Sequence, residues 1–234
     1  MALPIIQHPI FTLKLPSSGQ TVKYRPFLVK EEKILLLAQT AGTPNDFIRA
    51  VVQVIANCVL DDIDTEQFTS FDTEYFFLKL RAASISNEQN IRYWDNDLED
   101  YTDVTIDFDN LEVTKSDKSN IIDINETVKL ELRYPRYNDL LEMADDTTVE
   151  NSTEVLSSCI KTIYDGEEPI DPKDSSTEEL NTFIDSIPSS AFKVIQEYFA
   201  DMPKITMKQQ YEVKVNNKKK KKTAILTGIN DFFW

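Results

Sequence analysis

The stretch FTLKLPSSGQTVKYRPFLVKEEKILLLAQT, residues Phe11 to Thr40, changes its hydrophobic period halfway, and that change sets the fold class. Phe11, Leu13 and Leu15 alternate with polar neighbours into Pro16-Ser17-Ser18-Gly19, and a second run follows from Thr21 to Val29. Two short runs around a Ser/Gly turn predict a β-hairpin. From Lys30 the spacing lengthens, and Ile34, Leu35, Leu37 and Ala38 make one apolar stripe at helical spacing. Gly42 ends this helix. Thr43 and Pro44 open the next, because a threonine hydroxyl accepts a first-turn N–H and proline needs no donor at the first helical position. Phe47, Val51, Val54, Ile55, Cys58 and Val59 then fall on one face. Hairpins combined with amphipathic helices predict an α+β fold.

Outward from this stretch the alternation continues. An acidic loop, Asp61 to Glu66, leads to a third helix from about Thr73 into Ala83. Its Tyr75, Phe76 and Leu80 are expected beside Leu35 and Val54 in one core. Strand-like runs follow at Val104-Ile106-Phe108 and Leu111-Val113, and later at Val128-Leu130-Leu132. Leu140, Leu141 and Met143 start a short helix, and Val155, Leu156, Cys159, Ile160 and Ile163 read as an amphipathic helix that Gly166 ends. Ser176 can cap a helix bearing Phe183, Ile184 and Ile187, and a further helix buries Phe192, Val194, Ile195, Tyr198 and Phe199. The chain closes with a hairpin, Ile205 to Val215 and Thr223 to Thr227 around Asn216-Asn217-Lys218.

This order divides the chain into an N-terminal half, 1–110, and a C-terminal half, 111–234, that ends in the hairpin and an aromatic tail. In the first, Tyr24-Arg25-Pro26 precedes helices carrying Cys58, an acidic loop and an aromatic helix. In the second, Arg133-Tyr134-Pro135 precedes helices carrying Cys159, an acidic loop and another aromatic helix. The spacing differs, 32 positions from Pro26 to Cys58 against 24 from Pro135 to Cys159. A tandem duplication and a chance likeness of two α+β halves both stay open.

Composition narrows the chemistry. The chain has 234 residues, 41% of them hydrophobic and 10% aromatic, which is a folding composition. Its 40 acidic residues against 25 lysines and arginines give a formal charge of -15, which repels phosphate and argues against nucleic acid as a partner. No run approaches the roughly 18 apolar residues of a membrane span, and Met1 to Ile10 does not read as a signal peptide, so a soluble, unexported chain is expected. One histidine, His8, would have to serve any Ser-His-Asp triad or histidine-based zinc site. Cys58 and Cys159 are far apart on apolar helical faces and read as buried thiols. Four isolated glycines provide no phosphate-cradling loop. No catalytic residue, metal ligand or cofactor site is expected.

Four segments carry functional alternatives. Asp95-Asn96-Asp97-Leu98-Glu99-Asp100 begins like a calcium loop, but Asp100 stands where glycine is needed and Ile106 where glutamate is needed, so a solvated acidic loop is expected. Asp61, Asp62 and Asp64 read as loop-end carboxylates that cap a helix. Lys218, Lys219, Lys220, Lys221 and Lys222 form a basic run, read either as a charged hairpin tip that protects an edge strand or as a dock for an acidic partner. Phe232, Phe233 and Trp234 either pack onto the body or enter another subunit. These eight residues are the candidate partner-binding set.

Tyr24 to Lys33 (YRPFLVKEEK), Cys58-Val59-Leu60-Asp61 and Phe71 to Ala82 (FDTEYFFLKLRA) together resemble the baseplate hub assembly proteins of T-even-type contractile-tailed bacteriophages. The resemblance covers roughly the first 110 residues, and the closing strand pair ending in Asp231-Phe232-Phe233 is also similar. Many relatives carry paired cysteines just after the LKLRA block; Ser84 to Tyr101 has none, so no zinc-ribbon-like element is expected here. The resemblance implies a non-enzymatic structural or assembly role in the virion tail baseplate, assembled in the host cytoplasm, with other hub and tail proteins as partners. Two alternatives remain: a transient chaperone for a hub subunit, absent from the mature virion, and a metal-dependent hydrolase using Asp61, Asp62, Asp64 or the Asp95 to Asp103 cluster.

Overall fold

In the computed structural model, β1 (Phe11–Lys14) pairs antiparallel with β2 (Thr21–Tyr24), and the chain passes directly into α1 (Val29–Ala41) and α2 (Pro44–Cys58). The structure describes residues 4, 6–41, 43–141, 149–215 and 218–232, so Gly42, Met143 and the Asn216-Asn217 turn lie outside the described residues. Thr43 caps α2 by accepting the Asp46 N–H, with Pro44 in the first turn. A 3-10 turn at Thr65–Gln67 precedes α3 (Ser70–Ser84), which starts earlier than Thr73 because Thr69 and Asp72 form a reciprocal capping box. An antiparallel ribbon, β3 (Glu88–Asp95) and β4 (Asp100–Asp107), and the short β5 (Leu111–Val113) follow.

Next come β6 (Ile121–Asp123), β7 (Val128–Leu132), α4 (Tyr137–Leu141), α5 (Val149–Cys159), β8 (Ile160–Asp165), β9 (Glu168–Ile170), α6 (Thr177–Asp185) and α7 (Ser189–Ala200). The chain returns as β10 (Ile205–Val215) and β11 (Lys218–Thr227). Helices and small antiparallel sheets in this mixture make an α+β protein.

Two compact units emerge: one from 1–114 with 204–234, the other from 115–203. This division differs from a cut at 110. β10 pairs with β5 through Ile205, Met207 and their partners Val113 and Leu111, so the closing hairpin belongs with the N-terminal elements. In the first unit Tyr24, Val54, Phe76, Phe77 and Leu80 are buried in one core, with Leu35 and Tyr75 half-buried against it. In the second, a four-stranded sheet ordered β6-β7-β8-β9 buries Leu130, Leu132, Ile160 and Ile163 with Leu156, Ile184, Ile195 and Tyr198.

One element departs from its expected form. The helix read through Ile163 ends at Cys159, and Ile160 to Asp165 is a strand bonded to β7 on one side and β9 on the other. The β-branched and aromatic run Ile160, Thr162, Ile163 and Tyr164 suits a half-buried ladder. Gly166, at φ 64, then supplies the positive-φ position of a two-residue turn between Asp165 and Glu168.

Both units carry the same frame at the exit from their first hairpin. The Arg25 N–H donates to the Cys58 carbonyl at 3.0 Å, and the Arg133 N–H donates to the Cys159 carbonyl at 2.8 Å. Each guanidinium grips a carboxylate six residues on: Arg25 holds Glu31 at 3.0 and 3.4 Å, and Arg133 holds Asp139 at 2.7 and 3.0 Å. Each also donates to the carbonyl of the next residue, Pro26 or Tyr134. The carboxylate in turn accepts an N–H three residues before it, from Leu28 or Arg136, and so caps α1 or α4.

Candidate partner-binding surface

The lysine run lies on a strand and not at a tip. All five residues belong to β11, where Val215 pairs with Lys218 and Tyr211 with Lys222. A strand alternates its side chains between two faces, so five consecutive lysines must divide. Lys220 and Lys222 point with the buried Ala224 and Leu226; Lys219 and Lys221 point outward. The side chain of Lys218 lies outside the described residues.

The inward lysines meet the acidic turn between β3 and β4. Asp95 is 1% exposed, buried at the base of an acidic loop whose Asn96, Asp97, Glu99 and Asp100 are exposed as expected. Its Oδ1 accepts from Lys222 Nζ at 2.5 Å and from the Asp97 and Leu98 N–H groups at 2.8 and 3.1 Å, and its Oδ2 accepts from the Tyr211 hydroxyl at 2.6 Å. Asp97 accepts from Lys222 at 2.9 Å and Lys220 at 3.3 Å. The Lys222 and Tyr211 hydrogen bonds hold the Asp95 carboxyl far below the usual carboxylate range. Burial pulls the Lys222 ammonium down, but Asp95 and Asp97 outweigh it and keep it above its ordinary value. Burial and the Asp95 contact push the Tyr211 phenol up to about 12. This cluster locks the β10–β11 ribbon to the β3–β4 turn.

The outward lysines are looser. Lys219 and Lys221 flank Glu212 at 3.6 and 4.0 Å and stand exposed on β11, an edge strand. Phe232 is fully buried, 6.2 Å from Phe108 between ring centres, and its carbonyl accepts from Gln89 Nε2 at 3.3 Å. It is a core residue of the first unit. Phe233 and Trp234 lie outside the described residues.

Two of the carboxylates weighed for a hydrolase are engaged in local turns. Asp61 accepts the Lys23 N–H at 2.6 Å and Asp64 the Glu66 N–H at 3.0 Å. Burial pushes both the Cys58 and Cys159 thiols up to about 11. His8 is exposed. Among the described residues no three His, Cys, Asp or Glu side chains gather as a metal site, and no helix is long and apolar enough to cross a membrane.

A feature that the sequence reading passed over lies on the outer face of the β3–β4 ribbon. Trp94 and Tyr101 are cross-strand partners, 49% and 52% exposed, with ring centres 5.2 Å apart at 77°. The Arg92 guanidinium covers the Tyr101 ring at 4.9 Å. The available signal was period two from Glu88 to Asp95, which places Trp94 opposite the Ile91 face.

Comparison with curated protein sequences and with solved structures returned no match. A family model described as T4 bacteriophage base plate protein matches residues 8–234, which takes in both units and both copies of the Arg–carboxylate–Cys frame. Residues of the hairpin exit, the aromatic third helix and the closing strands all lie within that match, and the chain belongs to the T4 bacteriophage base plate protein family.

Proposed function

We propose that this chain is a non-enzymatic structural and assembly protein of the baseplate hub, acting through contacts with other hub and tail proteins in the virion tail. Family membership over residues 8–234 is the observation that carries the reading. The use of its reactive groups supports it: carboxylates cap turns and helices, and both thiols are buried beside an arginine. Lys219, Lys221 and the Phe233-Trp234 tail are the proposed contacts on the closing hairpin. Lys220 and Lys222 hold that hairpin in place, and buried Phe232 anchors the tail.

Mass spectrometry of purified virions tests the role. Stoichiometric presence marks a hub component, and presence in infected cells but absence from virions marks a transient assembly chaperone. Elemental analysis of protein purified without chelator tests the non-enzymatic part, since a stoichiometric divalent ion would favour a hydrolase. Deleting Phe233-Trp234 should leave the melting temperature unchanged and abolish co-purification with hub subunits. A large drop in melting temperature would assign the tail to the fold.

A further inference from the structure

We propose that the outer face of the β3–β4 ribbon, centred on Trp94, Tyr101 and Arg92, is a docking surface for a lysine- and arginine-rich face of a partner protein. The inference rests on the reading of the chain as a protein that acts by protein contact, and it uses a face other than the lysine strand.

Residues directly opposite in an antiparallel ribbon share a face. On the inner face Ile91 and Val104 are buried, and Asp95 is clamped by Lys222. On the outer face Arg92 pairs with Asp103, and Trp94 with Tyr101. Trp94, Tyr101 and Arg92 stack into one exposed ridge of the three residue types that most often dominate binding energy. A tryptophan and a tyrosine each about half exposed hold substantial apolar area in water.

Charge decides the occupant. Glu88 and Asp103 are exposed on this face and Glu99 at its turn, and among the described residues none of the three has a cation within ion-pair distance. Arg92, the face's own cation, lies over the Tyr101 ring and forms no ion pair with Asp103 opposite it, so its one positive charge stands against the three carboxylates. The nearby lysines are turned inward to Asp95 and Asp97. The fold therefore neutralises the inner carboxylates and leaves the outer ones unbalanced around an aromatic ridge. Lysine or arginine side chains of a partner would meet both needs, pairing with Glu88, Glu99 and Asp103 and stacking on the exposed Trp94 ring.

Trp94 can report its own contact. In the full chain with Trp234→Phe, Trp94 is the single tryptophan. Its fluorescence should be quenched more by caesium than by iodide in the free protein. A twelve-residue peptide alternating arginine and serine should shift its emission to the blue, and an aspartate–serine peptide should not. Peptide affinity, followed with a fluorescent label on the peptide, should fall at least tenfold in Trp94→Ala/Tyr101→Ala and in Glu99→Gln/Asp103→Asn. It should be unchanged in Asp123→Asn/Glu126→Gln, which removes the same charge from the other unit. Equal loss in all variants would show that only the net charge attracts the peptide and would overturn the proposal, as would the absence of any emission shift. Circular dichroism melts of each variant separate misfolding from lost contact: if the aromatic double variant unfolds, the charge pair, which leaves the stack intact, decides. Failure here leaves the virion result standing, and a chain absent from virions leaves the peptide result standing.

Discussion

The two copies of the Arg–carboxylate–Cys frame use the same hydrogen bonds at different depths. Glu31 is wholly buried and its Arg25 partner 14% exposed, whereas Asp139 and Arg133 are 13% and 23% exposed. Burial pushes the Glu31 carboxyl up, but Arg25, the Leu28 N–H and Lys30 outweigh it, and the group ends below its ordinary value. The likeness extends further along each chain segment. Asp64 caps a 3-10 turn five residues before the Thr69–Asp72 capping box, and Asp171 caps another five residues before the Ser176–Glu179 box. Between Cys and Asp the second unit inserts the β8–β9 hairpin. The comparison shows a shared scaffold of polar clamps tolerating different packing around it, because the clamps fix the hairpin exit and the helix starts locally.

That comparison breaks most sharply in the cores. Phe76→Ala, fully buried beside Tyr24 and Phe68, should cost about 3–5 kcal/mol in a denaturant titration, and a near-neutral midpoint would make that face a surface. Glu31→Ala leaves Arg25 facing buried space and should cost about 3–5 kcal/mol. Asp139→Ala, with water able to reach Arg133, should cost only about 1.5–3 kcal/mol. Equal costs in the two units would refute the difference in depth.

Gly166→Ala tests the inserted hairpin alone. A methyl group there meets no atom within 4 Å, so the loss should be conformational, about 1–2 kcal/mol. Acid sharpens the contrast between the clamps. Glu31 and Asp95 both have folded pKa values below their unfolded ones, so their stabilisation is present above pH ~4.5 and is lost as pH falls below that range. Asp95→Asn should flatten the acid limb of the melting-temperature profile. The smallest expected effect is on the thiols: iodoacetamide at pH 8 should label neither cysteine before unfolding, and native labelling of one alone would show that its unit opens.

Local signals were legible where local physics sets the structure. The Thr43 and Ser176 caps and the α2 face follow from neighbours within four positions, and the hairpin at residue 11 from alternation on either side of a short turn. The segment from Val155 to Ile163 misleads because a helix joined to a strand at Cys159 keeps apolar residues at helical spacing across the joint. The lysine run could not be resolved from its neighbours, since its partners Asp95 and Asp97 lie more than 120 positions away. The Trp94–Tyr101 ridge depends on a pairing register that only the folded ribbon sets.

The first unit is built from two separated segments, and this orders events on the ribosome. β5 emerges long before its partner β10, and the whole second unit is synthesised between them. At ~5–20 residues per second that interval lasts roughly 5–20 s. Throughout it Asp95 lacks Lys222, and Phe108 lacks Phe232. A chain cut short by a nonsense codon or a stalled ribosome carries that open seam permanently, exposed to host proteases. The closing hairpin is thus the last part of the first unit to be made, and the Asp95–Lys222 and Phe108–Phe232 contacts form only in chains translated through it.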